Sequence, residues 1–109
     1  VADFNISELF QQAQQLQEKL KIVQEEARAK TVEAQSGGGM VKVIADGSMR
    51  IRRITIEPSL LAANDKAMLE DLIVVAVNDA LARANQIMTE AMSKLGPMGG
   101  LKIPGLGNA

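Results

Sequence analysis

Apolar residues in the N-terminal part of the chain recur at alternating steps of four and three: Leu9, Ala13, Leu16, Leu20, Val23 and Ala27. That spacing holds them on one helix face, and over nearly three heptads it makes the seam of a helix that packs along another helix. Asn5 supplies a cap, with Glu8 three residues on to complete a capping box, so the pattern predicts a helix over about 6–29. At about 1.5 Å per residue this helix is roughly 36 Å long. A domain this small does not need that length, so part of the helix is expected to project as an arm.

From Thr31 to Ser36 the period changes to two, with Val32 and Ala34 set against Glu33 and Gln35, which predicts a short edge strand over 31–36. Gly37, Gly38 and Gly39 read as a flexible turn. A phosphate loop would need its lysine followed by Ser or Thr at a helix start, whereas Lys42 is followed by Val43 within a strand pattern. Residues 40–45 alternate again, and Asp46-Gly47 signals a two-residue type I′ turn with positive φ at both positions. In the returning strand, 49–57, the pattern slips: Met49 and Ile51 share one face, Ile54 and Ile56 the other. The slip predicts either a β-bulge at Arg52-Arg53 or burial on both faces.

Pro58 closes the strand and Ser59-Leu60-Leu61 suits one helical turn. Asn64 or Asp65 then caps a second long helix, over about 65–95, stopped by Gly96-Pro97. Its first half, with Leu69, Leu72, Ile73, Val74, Val75, Ala76, Val77, Ala80 and Leu81, is apolar almost all round, which a surface helix should not be. A three-stranded sheet covers one side only. The other side is expected to meet a second copy across a two-fold axis, with Ile73, Val74, Ala76, Val77, Asn78 and Leu81 at the interface. Residues 96–109, rich in Gly and Pro, read as a flexible tail, so the chain is a single α+β domain over 1–95 followed by that tail.

Composition narrows the chemistry. The 109 residues include no cysteine and no histidine, which removes thiolate and imidazole ligands and the commonest general base. No nucleophile–base pair stands out, so an enzyme, a small-molecule substrate, a metal and a cofactor are not expected. The sequence has neither a membrane-length apolar run nor a signal-peptide layout and reads as cytoplasmic. With a net charge of −1, any contact with a polyanion must use a local patch. The two phenylalanines are the only aromatics, so base stacking is not available on the scale single-strand binders use. The hairpin is locally basic, with Lys42, Arg50, Arg52 and Arg53 against Asp46.

The stretches QQAQQLQEKLKIVQEE, GGGMVKVIADG, RRITIEPSLL and MLEDLIVVAVNDALARA, with IPGL in the tail, resemble the YbaB/EbfC family of bacterial nucleoid-associated DNA-binding proteins. The resemblance runs from about Leu9 to Leu106 and is most specific at Asn78-Asp79-Ala80 and Glu70-Asp71-Leu72. It implies an α-β-β-β-α order, a small antiparallel sheet with two long helices, a tweezer-like homodimer and duplex DNA as partner. The residues expected to meet DNA are Gln15, Lys19 and Lys21 on the first helix, Arg52 and Arg53 on the strand, and Arg83 and Lys94 on the second helix. Phosphate contact would give affinity without a recognition helix. The alternative is a non-enzymatic scaffold module that grips a partner protein with its helical arms.

Overall fold

The computed structural model describes residues 5–96. Helix α1 spans Ile6–Ala29, strands β1, β2 and β3 span Thr31–Ser36, Val41–Asp46 and Ile51–Ile56, a short helix α2 spans Pro58–Ala62, and helix α3 spans Lys66–Ser93. Asn5 caps α1 by accepting from the Ser7 amide at 2.9 Å, and Asp65 caps α3 by accepting from the Met68 amide at 3.1 Å. The glycines form one 3-10 turn, with φ positive at all three. Within the expected tail, residues 97–109 lie outside the described residues.

The antiparallel sheet has the order β1-β2-β3. Val41, Val43 and Ala45 of β2 and Ala34 of β1 are buried against Ala76, Ala80 and Ala84, one stripe of α3. Alanine on the helix side lets the α3 backbone sit close to the sheet while the β2 valines fill the gap. Fully burying each valine contributes about 1.5–3 kcal/mol. The helix lies across β1 and β2 and barely reaches β3. That offset decides what stays uncovered.

The register of β3 slips where the sequence predicted. Ile44 pairs with Arg53 but Ala45 pairs with Ile51, so Arg52 is the extra residue of a bulge. The bulge brings Ile51 onto the side of the sheet shared by Ile54 and Ile56. Because α3 stops short of this edge strand, Ile51 and Ile54 remain exposed.

The hairpin turn differs from the type I′ expectation. Asp46 N–H donates to Arg50 O and Met49 N–H to Asp46 O, both at 3.0 Å, so three residues, Gly47–Met49, make the connection. The residue with positive φ is Met49, at 68°. Gly47 is needed for a different reason: its N–H donates to Ala27 O (3.0 Å) and Lys30 O (3.2 Å) at the end of α1. A Cβ there would overlap the Ala27 carbonyl and come within 2.6 Å of Ile87 Cγ2.

A second cluster joins the two long helices. Val23 and Ala27 of α1 pack with Ala91, Ile87, Met88 and Leu95 at the end of α3. Since Ala27 and Ile87 both abut Gly47, rising numbers along α3 meet falling numbers along α1, and the helices are antiparallel. This makes an elongated molecule, 75 × 27 × 17 Å. Gly47→Ala should cost about 1–3 kcal/mol, because the obstacle is backbone and cannot rotate away. Urea denaturation checks this; an unchanged midpoint would mean the α1–hairpin contact is looser than described.

Candidate nucleic-acid interface

One buried acid holds the Arg52 side chain and the Arg50 backbone at the turn of the hairpin. Asp46, at the end of β2, is fully buried. Its Oδ1 accepts from the Ser48 amide (2.8 Å), the Ser48 hydroxyl (2.5 Å) and the Arg50 amide (3.3 Å), and its Oδ2 accepts from Arg52 Nε at 2.5 Å. Burial alone pushes the Asp46 carboxyl up, but the hydrogen bonds from Ser48, Arg52 and the Arg50 backbone prevail and hold it down at about 2. Arg52 continues the chain of bonds: its Nη2 reaches Arg28 O at 3.5 Å. The Arg52–Arg28 bond and a bifurcated backbone bond from Gly47 thus tie the hairpin to the last turn of α1.

This arrangement changes the standing of Arg52. Expected to reach outward, it turns its Nε to Asp46 and leaves its side chain half-exposed. Arg53 does face out, in a cross-strand row with Ile44 and Glu33, beside the row of Thr55, Lys42 and Gln35. The exposed Arg28 and Lys30 at the end of α1 and Arg50 before β3 belong to the same junction through the Arg52 and Gly47 bonds. Sequence reasoning notes Arg50 in the basic hairpin but places none of the three among the expected DNA contacts. Nothing in local periodicity tells that the end of α1 returns to the β2–β3 turn.

The remaining expected contacts lie apart. Gln15, Lys19 and Lys21 are exposed on the projecting part of α1. Gln15 and Lys19, four residues apart, share one side, whereas Lys21 shares the other with Arg28, seven residues on. Arg83 is exposed on α3 and pairs with Asp79 at 3.3 Å, an (i, i+4) surface pair that contributes at most about 1 kcal/mol. Lys94 is exposed at the C-terminal end of α3.

At the expected dimer face, one residue must be removed. Ala76 is fully buried against the sheet of its own chain and has no surface to offer a second copy. Ile73 and Val77 are also half-spent on that core. Val74, Asn78 and Leu81 fall on the side away from it, with Asn78 exposed and Leu81 half-buried. Val74 and Val75 stay 56% and 57% exposed, adjacent aliphatic side chains that the sheet of this chain does not cover.

The chain matches the model of the YbaB/EbfC DNA-binding family over residues 3–101. It belongs to that family. Among the relatives of this YbaB/EbfC chain, the nucleoid-associated protein of Thermoanaerobacter pseudethanolicus is 48% identical over 103 residues, covering 94% of this chain and 91% of that one. A nucleoid-associated protein of Rhodospirillum rubrum is 46% identical over 100 residues, 92% of each chain. The crystal structure of the uncharacterized protein HP0035 from Helicobacter pylori superposes with a TM-score of 0.76 at 24% identity, covering 85% of this chain and 99% of that one. It shares the fold. Among the described residues of this YbaB/EbfC protein, no helix is long and apolar enough to cross a membrane, and no cluster of acids could hold a metal ion.

The Asp46 network has a signed pH dependence. Its folded value lies below the ordinary 3.8, so its contribution is fully present above about pH 4 and is lost as pH falls toward 2. Asp46→Asn should lower stability by about 2 kcal/mol near neutral pH and flatten that acid limb. Urea melts from pH 6 to 2 on both proteins check this, and parallel curves would remove Asp46 as the cause.

Proposed function

We propose that this protein is a homodimeric nucleoid-associated protein that binds duplex DNA chiefly through backbone phosphates, in an architectural or regulatory role in the cytoplasm. The observation that carries the reading is the gathering of Arg28, Lys30, Arg50, Arg52 and Arg53 where α1 meets the hairpin, while the nearest buried acid, Asp46, is satisfied from within. Family membership and the names of the relatives support the partner. Arg53 and Arg50 make the outward contacts, Arg52 aligns them, and Lys21 extends the patch along the arm. Gln15, Lys19, Arg83 and Lys94 add contacts where a duplex runs beside the helices.

Dimerisation doubles the patch and adds avidity without new contact chemistry. The support for it is apolar surface: Val74 and Val75 on α3, and Ile51 and Ile54 on the edge strand β3, are exposed in the single chain. A second copy packed on the outward side of α3, against Val74, Asn78 and Leu81, would cover the α3 part of this surface.

Two measurements test the reading. Light scattering at low micromolar concentration should give at least twice the 11.6 kDa chain mass, and Val74→Glu should weaken the dimer by on the order of 100-fold. A folded wild-type monomer at micromolar concentration would refute it. Fluorescence anisotropy on duplex DNA across a salt series should show log K falling linearly with log salt. The slope should become shallower by about 0.9 for each phosphate that Arg50→Gln/Arg53→Gln no longer neutralises. These positions are preferred to Arg52, whose replacement would also disturb Asp46. No binding at low salt by a folded dimer would favour the scaffold reading; unchanged binding by the variant would move the site to the arms.

A further inference from the structure

The seam of α1 outruns the helix that covers it. Val23 and Ala27 are buried against the end of α3, which stops at Ser93. Towards the N-terminus the same seam continues through Leu20, Leu16, Ala13, Leu9 and Ile6, about 25 Å of helix beyond Val23. No described element lies over its outer end, where Ile6, Leu9 and Phe10 are 58%, 47% and 67% exposed.

We propose that Leu9–Leu20 of this free stretch is an interaction surface for the same segment of a second copy, laid antiparallel. Its period of alternating three and four is matched only by another helix of that period. Setting Leu9 opposite Leu20 places Ala13 opposite Leu16, so small meets large in both halves of the contact. In the same register Lys19 flanks Gln12 and Phe10 flanks Gln17 of the other copy, so no like charges meet along the seam. The sequence of residues 97–109, with Pro97, Pro104 and four glycines, lacks an apolar repeat of that period.

This contact uses a different surface from the α3 face. Each is isologous, and two different isologous contacts on one chain alternate into an open row. Arm pairing would therefore join DNA-binding units end to end, a means of bridging separate duplex segments.

The absence of cysteine makes the register testable in the full chain. Ala13→Cys and Leu16→Cys proteins are prepared separately, mixed in equal amounts and mildly oxidised. The antiparallel register predicts a 13–16 heterodisulfide exceeding both homodisulfides by about fivefold or more, since only facing Cα atoms within roughly 7 Å can be bridged. A statistical mixture, a homodisulfide excess or no crosslink overturns the proposal. In sedimentation velocity, wild type should reach heavier species with rising concentration than Leu9→Lys/Leu16→Lys, whose sites lie on the free arm and should leave the thermal melt unchanged; identical distributions would overturn it. Truncation after Gly96 completes the test. Unchanged association supports a second copy as occupant, whereas increased association would assign the seam to the chain's own C-terminal residues.

Discussion

The buried carboxylate of Asp46 is the constraint on which the rest depends. A charge removed from water is costly unless donors surround it, and here two amides, a hydroxyl and a guanidinium do so. Those donors come from the turn and from the bulge residue, so satisfying one acid fixes the turn geometry and the place where the β3 register slips. The same turn carries Gly47 against the end of α1. Arm direction is thereby set by hydrogen bonds at its root together with the packing of Val23 and Ala27 on the end of α3.

The bulge has two consequences that pull in different directions. It returns Arg52 to Asp46, which favours the fold, and it brings Ile51 onto the apolar side of an edge strand that α3 does not cover. An edge strand with an exposed apolar side is a liability for a lone chain. The exposure of Val74 and Val75 on α3 adds to it. Uncovered surface of this kind is tolerable where assembly follows folding.

Much of this was legible from local pattern. The heptad seam, the caps at Asn5 and Asp65 and the slip at Arg52 each leave a signature within a few residues, and the elements lie close to where those signatures put them. Long-range facts were not legible. Asp-Gly reads as a type I′ turn by local preference, but the proximity of Ala27 and Ile87 makes Gly47 a packing requirement and moves the positive φ to Met49. Ala76 sits in an all-apolar run, where sequence alone cannot tell the sheet side from the other. The candidate site suffered most, because Arg28 and Lys30 join it only through contacts between distant segments.

A chain of net charge −1 is on balance a poor ligand for a polyanion, yet the distribution of charge answers this. The acids Asp65, Glu70 and Asp71 lie at the start of α3, and Ile87, which abuts the turn at the arm root, is sixteen residues beyond Asp71. That is about 24 Å of helix, roughly three Debye lengths at physiological ionic strength. Their repulsion is largely screened at the junction of Arg28, Arg50 and Arg53. Of the closer acids, Asp46 is internal, Glu33 is set apart from Arg53 by the intervening Ile44, and Glu25 and Glu26 are exposed in the last turns of α1 beside Arg28. The field at the junction is therefore set by its own cations together with Glu25 and Glu26, and not by the sum over the chain.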